Sequence, residues 1–558
     1  MTDNIRNAIV WFIFIFSTLM LVDQWWVYND QAPLFGFADN PQAQQAQNTP
    51  ENADGVDVPT SSGMASSGTD TFTASVPTES TRRGEEFVIT TDLYKATFNS
   101  VGGKLVELDL LKHHVQDHPE EPVKLVDPAY RYEVRTGLIN AQGGALLPNH
   151  NTQMHFSSAE RTMRDGQDHL DVRFESDPVN GVQLNKIYRF TRDSYVIEVI
   201  TEIVNTGSEA VTPEIYYQLV RNSESLPGAS RWFGGNTYVG TAYYTNEDRY
   251  NKVAFSDIDK KRLNIKGEDN GWVAMVQHYF VSAWLLDDGL RREIFTSKLE
   301  GDNYAIGMIS AVKTLQPNER ISQSARLYSG PQYEKVLENL APGLELVKDY
   351  GIFRMFSKPL FWLMYFFNEF FHNWGWSIVA LVVVIKAAFF WLNARAYRSM
   401  AKMRALTPRL QEINERFKDD ARKKQEETMR IYKEEKINPL GGCLPILVQI
   451  PVFIALYWVL LSSVEMRNAP WIGWITDLSA RDPYFILPAI MGASTMLQTW
   501  LNPKPADPMQ ARMMWMMPLM FSVMFFFFPS GLVLYWVTNN ILSIAQQWFI
   551  NNKIVPKS

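Results

Sequence analysis

Residues Ile378–Leu392 read IVALVVVIKAAFFWL, an apolar run that a lipid bilayer would accept whole except for Lys386. In a straight helix Lys386 would stand ten residues from Trp376 and nine from Arg395, roughly 14 Å from either, at 1.5 Å per residue. Its stem cannot snorkel that far. A lysine at mid-span costs on the order of 3 kcal/mol, so such a residue is expected to face a bundle interior or a water-filled cavity. The stretch therefore predicts a helical membrane protein with a polar interior.

Four more apolar blocks lie downstream, Leu440–Ser462, Tyr484–Leu501, Met513–Phe528 and Gly531–Ile550. With Trp376–Asn393 they make five spans, each near the length that crosses about 30 Å of hydrocarbon. A sixth, Ala8–Tyr28, lies at the N-terminus. Its positive flank is thin and the nearest small-x-small site, Gly36-Phe37-Ala38, is too far beyond the apolar core for cleavage, so residues 1–28 read as an uncleaved anchor. The block Ile352–Phe371 carries Arg354, Lys358, Pro359, Asn368 and Glu369, and reads as an amphipathic helix along the interface, within 351–373. The connection Ala394–Asn438 holds thirteen Lys and Arg against eight Asp and Glu, which places it in the cytoplasm. Six spans satisfy that placement with both termini cytoplasmic, including the short tail 551–558. Within the connection Met400, Met403, Leu406, Leu410, Ile413 and Phe417 recur at spacings of three and four, and Met429 and Tyr432 mark a second stretch. Residues 394–438 are thus expected to form a helical hairpin with charged outer faces, suited to docking a ribosome or a targeting factor.

The same topology exports everything between the anchor and the interfacial helix. Residues 29–84 are poor in large apolar side chains and rich in Gln, Ser, Thr, Gly and Pro, the composition of a flexible tether. Residues 85–350 change to short alternating runs separated by turn signals, as in KIYRF and YVIEVITEIV on either side of Thr191–Ser194, a hairpin pattern. Val273–Leu286 is apolar but too short to span, and reads as core strand. The expectation is a large all-β sandwich closed by helical structure over Pro331–Tyr350.

The formal net charge of -7 conceals a segregation of acidic and basic stretches, and the single cysteine, Cys443, excludes an internal disulfide framework. His113, His114 and His118 sit among charges with no partner motif, and read as a solvated loop rather than a metal site. No HExxH, GxSxG or Walker loop occurs, and Gly102-Gly103-Lys104 lacks phosphate-cradling spacing, so no catalytic residue, cofactor or metal is assigned.

Function is expected in the spans. Outside Lys386 they offer no Asp or Glu near mid-depth, and the chain shows no repeat-like halves, which speaks against a proton-coupled or symmetric carrier. A tethered carbohydrate-binding or carbohydrate-processing protein is the other alternative, with its activity in the β domain. What remains is one positive charge with Gln449, Asn539 and Asn540 as polar lining.

Three strings carry a more specific signal: INPLGGCLPILVQIPVF (Ile437–Phe453), DLSARDPYFILP (Asp477–Pro488) and FPSGLVLYWVTNN (Phe528–Asn540). They closely resemble the YidC family of membrane protein insertases, and the order of anchor, external β domain, interfacial helix and five further spans resembles its Gram-negative form. The resemblance implies that 374–550 is an insertase core with a groove open to cytoplasm and lipid. It also implies a β supersandwich in the periplasm and residence in the inner membrane. Lys386 matches the family's basic groove residue, although the familiar pattern has Arg there, so the charge is kept and the planar multidentate donor lost. Tyr535 and Trp536 fall where the family carries aromatics that contact the passing substrate. The implied partners are nascent membrane proteins, the Sec translocon, the ribosome with its signal recognition machinery, and membrane lipids. No cofactor and no specific nucleic acid is implied, and the short tail departs from relatives with long basic tails.

Overall fold

The computed structural model describes residues 58–59, 84–115, 118–141, 146–225, 238–351, 354–417, 420–435, 444–502 and 508–550. The expected anchor, most of the tether, the segment 436–443 and the tail 551–558 lie outside these residues. The chain divides into a β unit ending at Lys348 and a helical unit from Asp349 onward.

In the β unit every named strand pairing is antiparallel, and the strands build two nine-stranded sheets. One runs in the order Glu86–Thr90, Tyr94–Asn99, Lys104–Val115, Glu133–Asn140, Pro213–Asn222, Asn303–Ala311, Arg292–Lys298 and Asn264–Glu268, with His118–Val126 paired beside Lys104–Val115. The other runs Arg249–Val253, Gly240–Thr245, Trp272–Val276, Phe280–Leu285, Arg320–Pro331, Val196–Asn205, Val182–Thr191, His169–Ser176 and Met154–Phe156. Val196–Asn205 alternates half-buried and buried residues along its whole length, so the period-2 pattern of VIEVITEIV buries Ile197, Val199, Thr201 and Ile203 on one face. It pairs with Val182–Thr191 as the hairpin pattern predicts.

Polar side chains cross-link the sheets. The Tyr188 hydroxyl donates to the Gly103 carbonyl at 2.8 Å, and Lys186, fully buried, donates to the carbonyls of Gly102 and Thr136. Gly102 and Gly103 both have positive φ, and a Cβ on Gly102 would lie 2.1 Å from the His150 carbonyl oxygen, so this tight turn requires glycine. A short helix, α1 (Phe255–Lys260), intervenes, and α2 (Glu334–Leu340) with the 3-10 turn Leu344–Val347 closes the unit as expected over this segment. There Leu337, Leu344 and Val347 join Trp272, Ala274 and Tyr328 in one buried cluster.

Two sequence expectations need correction here. Val273–Leu286 is not one strand but a hairpin, Trp272–Val276 and Phe280–Leu285, whose turn, Gln277–Tyr279, carries no Gly or Pro to announce it. His113, His114 and His118 are not loop residues, because Lys104–Val115 continues through the first two and His118 opens the strand His118–Val126. His113 is buried, with its ring edge-on to Phe280 at 5.5 Å. The neighbouring charges kept the strand out of view in the sequence.

The helical unit comprises α3 (Arg354–Phe371), α4 (Trp374–Ala388), α5 (Phe390–Ala405), α6 (Thr407–Arg416), α7 (Ala421–Glu434), α8 (Leu444–Ser462), α9 (Ile486–Leu501), α10 (Pro508–Met524) and α11 (Ser530–Phe549). One face of α3 buries Phe361 and Met364 against Tyr350 and Ile378, while Met355, Trp362, Phe366 and Phe370 on the other stay exposed. Leu406 and Leu410 pack with Ile431 and Tyr432 to join α6 and α7.

Among the described residues no single helix is both long and apolar enough to cross a membrane alone. The span expected at Trp376–Asn393 is broken at Phe389, and α4 meets α5 at 65°. Lys386 therefore lies in the last turn of α4 instead of at the middle of a continuous helix. The other expected spans correspond to α8, α9, α10 with its 3-10 extension Phe525–Phe527, and α11. The last is 20 residues long, but its polar side chains lower its hydropathy.

Candidate functional site

Helix α11, SGLVLYWVTNNILSIAQQWF, organises the unit. Asn539, Ser543 and Gln546 recur at i, i+4 and i+7, so they share one face, and Asn540 and Gln547, seven apart, line the adjoining one. Between them these side chains reach α4, α5, α8 and α9.

The N-terminus of α11 is fixed first. The Ser530 amide donates to the Ala480 carbonyl at 2.7 Å and the Gly531 amide to that of Leu478 at 2.9 Å. A Cβ on Gly531 would come within 3.1 Å of the Leu478 oxygen, so a small residue is needed for this approach. The same loop holds Asp482, a buried carboxylate that accepts from the Leu487 amide at 2.6 Å, the Tyr484 amide at 3.0 Å and the Trp474 indole at 3.0 Å, and so caps the start of α9.

Lys386 is only 5% exposed, and its Nζ donates to the Ser543 Oγ at 2.7 Å. The Ser543 hydroxyl spends its own proton on the Asn539 carbonyl at 2.7 Å, which leaves its lone pairs to the ammonium. Among the described residues no carboxylate forms an ion pair with Lys386. Beside it lies a recess of about 10 Å³, on the scale of one water molecule, lined by Ile385, Lys386, Phe389, Leu392, Asn393, Val448 and Gln449. Gln449 donates to the Asn539 Oδ1 at 2.8 Å and so ties α8 to α11.

Asn540 turns away from this group. Its Nδ2 donates to Thr495 Oγ1 at 2.8 Å and Ser494 Oγ at 3.1 Å, which joins α9 to α11. Tyr535 is buried, with its ring 6.1 Å from Phe453. Trp536 packs edge-on to Phe453 at 4.8 Å and beside Phe525 at 5.3 Å, and among the described residues its buried indole N–H has no acceptor. From Tyr535 to Ser543 is eight residues, roughly 12 Å along the axis. The six sequence-selected residues thus fall into a Lys386–Gln449–Asn539 group, an aromatic group one to two turns away, and Asn540 on the α9 side.

Sequence reasoning missed Ser543, Gln546, Gln547 and Asn393. Gln546 accepts from Asn393 Nδ2 at 3.3 Å, and Gln547 donates to Asn502 Oδ1 at 3.3 Å. The signal was available in the spacing of the polar residues of α11. In the β unit the exposed His118, Glu120 and Glu121 bring one ligand atom each within 4.8 Å of one another.

Comparison with known proteins covers the whole chain. Residues 366–557 match the family described as 60Kd inner membrane protein, and residues 86–363 match the YidC periplasmic domain. The membrane protein insertase YidC of Methylobacillus flagellatus is 47% identical over 552 residues, spanning 98% of this chain and 97% of its own. That of Cupriavidus metallidurans is 46% identical over 558 residues, with 99% and 98% covered. Among solved structures, an active YidC insertase with its first transmembrane domain resolved aligns at a TM-score of 0.40 and 16% identity, over 83% of this chain and 92% of that one. A galactose mutarotase-like protein from Lactobacillus casei aligns at 0.31 and 8%, over 44% of this chain and 100% of its own.

Proposed function

The chain belongs to the YidC family of membrane protein insertases and is a membrane protein insertase of the inner membrane with a periplasmic β domain, and from that premise we propose that clients pass the polar face of α11 at Lys386. The observation that carries this reading is a buried cation held by a serine hydroxyl, with no carboxylate ion-paired to it among the described residues. A charge left without a counter-ion in a low-dielectric setting is poised to attract one.

A client hairpin or N-terminal tail enters from the cytoplasm, where its acidic and polar groups meet water and Lys386 instead of hydrocarbon. That lowers the barrier to moving the tail partway across. The client's apolar segment passes the Tyr535 and Trp536 surface and leaves for lipid, where its burial drives release. No nucleotide enters the scheme. The membrane potential adds about 2.3 kcal/mol per charge per 100 mV for acidic tails drawn outward.

The proposal extends to topology and partners. Six spans place both termini and the α6–α7 hairpin in the cytoplasm, with α3 along the outer interface, its exposed Met355, Trp362, Phe366 and Phe370 in contact with lipid. The hairpin is the docking surface for the ribosome and its signal recognition machinery, and the protein works alone or with the Sec translocon.

The test is insertion of a single-span client with an acidic N-tail into vesicles holding purified wild type, Lys386→Arg, Lys386→Ala or Lys386→Glu, read as protease-protected product. Wild type and Arg are expected to insert the client, and Ala and Glu to fail. Equal insertion by all four removes Lys386 from the mechanism.

A further inference from the structure

The break between α4 and α5 has no cause in its own sequence. Sharp helix kinks come from Pro, from Gly or Ser pairs, from an inserted wide turn, or from a side chain that enters the backbone ladder. The sequence across the break, Lys386–Asn393, is KAAFFWLN, with neither Pro, Gly nor Ser. Backbone bonds run from the Phe389 amide to the Ile385 carbonyl at 3.0 Å and from the Asn393 amide to the Phe389 carbonyl at 3.0 Å, so the turn itself is regular on either side. One foreign group stands at the break. Gln546 of α11 donates from Nε2 to the Lys386 backbone carbonyl at 3.2 Å, and its Oε1 accepts from Asn393 Nδ2 at 3.3 Å. A single carboxamide therefore touches the last turn of α4 with one end and the first turn of α5 with the other.

We propose that Gln546 is a positioning residue for insertion: it staples the α4–α5 bend and thereby fixes the direction in which the Lys386 side chain leaves the backbone. The geometry gives the reason. The last four carbonyls of a helix lack intrahelical donors, and in a low-dielectric surrounding such a carbonyl needs one from elsewhere. Gln546 supplies it at the residue whose side chain carries the charge. Ser543 lies one turn earlier on the same face of α11 and receives the Lys386 ammonium, so backbone and head group of one residue are held by side chains three apart on one helix. A change in the bend swings the α4 end away from α11 and takes the ammonium off Ser543. Tyr397 of α5, whose hydroxyl donates to the Ser543 carbonyl at 3.5 Å, adds a weaker tie on the far side of the bend.

The functional half of this inference rests on Lys386 facing the client, whereas the conformational half does not, and the experiment separates them. Full-length protein in lipid nanodiscs, with Cys443 replaced by Ser, carries spin labels at the exposed positions Val383 on α4 and Arg398 on α5. The distance distribution between them is recorded for wild type, Gln546→Leu and Asn393→Ala, and insertion is measured for two clients that differ only in an acidic or a neutral N-tail. Gln546→Leu should broaden or shift the distance distribution and lower acidic-tail insertion about threefold, the factor for an interhelical hydrogen bond of ~0.6 kcal/mol, while the neutral client changes less. Asn393→Ala cuts only the α5 arm and should give a smaller change in the same direction; it carries the test if Gln546→Leu does not accumulate. Distributions that match wild type in both variants overturn the staple. A changed distribution with both clients unaffected overturns the positioning role, and Lys386→Ala in the same assay then shows whether the lysine's own part falls with it.

Discussion

Replacing Lys186 with Met should abolish a rise in β-unit stability between pH 7 and pH 9. Lys186 is fully buried in the second sheet and donates to two backbone carbonyls, those of Gly102 and Thr136, and among the described residues no carboxylate forms an ion pair with it. Burial, with a smaller contribution from the charge of Lys104, pulls its ammonium down to about 7 from an ordinary 10.5. The native state thus binds the proton less tightly than the unfolded chain. Between pH 7 and 10.5 the unfolded chain holds more protons, so stability rises with pH across that window, and below pH 7 the full penalty is present and constant. A difference of roughly 3.5 pH units at 1.36 kcal/mol each is about 5 kcal/mol in all, of which about 2.3 kcal/mol is recovered from pH 7 to pH 9. Urea titration of the full-length protein in detergent, followed by pulse proteolysis of the β unit, reads the stability at each pH. Wild type should gain about 2 kcal/mol over Lys186→Met across this interval. The absolute stability of the variant is a poor readout, because the two carbonyls lose their donor at about 1–3 kcal/mol each and offset the charge removed. Parallel pH profiles for the two proteins would refute the reasoning.

Two further substitutions test the helical unit. Asp482→Ala removes three acceptor contacts at the start of α9 and leaves the Trp474 indole without its partner, so thermal unfolding in detergent should register a loss of about 2 kcal/mol, with Asp482→Asn intermediate. Gly375→Val places a side chain where a Cβ already meets the Trp471 ring at 2.2 Å. It should lower stability by about 1–3 kcal/mol and loosen the loop that Asn373 holds through the Pro470 and Trp471 carbonyls, read as faster protease cleavage there.

Much of this arrangement was legible in the sequence because it rests on period and exclusion. Alternation in KIYRF and YVIEVITEIV gave strands of the β unit, and a lone charge in IVALVVVIKAAFFWL drew attention to Lys386. The bend was illegible because its origin is not in the bent segment. It lies at Gln546, more than 150 residues away in the chain, and no local rule marks KAAFFWLN as a break. The turn at Gln277–Tyr279 and the strand through His113 were hidden for the opposite reason. Their local chemistry argues for something else, and the ring contact of His113 with Phe280 and the bond from the Gln277 side-chain amide to the Leu125 carbonyl belong to the tertiary structure. Gln449 and Asn539 were selected as separate lining residues, and only the structure pairs them with each other.

The polar faces of α11 also bear on how this protein is made. Hydrocarbon gives apolar helices little reason to associate, so packing and interhelical hydrogen bonds must do so. In this chain one helix supplies such bonds to α4, α5, α8 and α9, and it is synthesised after all of them. Until it arrives, Lys386, Asn393, Gln449, Ser494 and Thr495 have none of the partners that α11 brings. During its own synthesis the insertase therefore passes through a stage in which these polar groups lack the partners they hold in the finished fold.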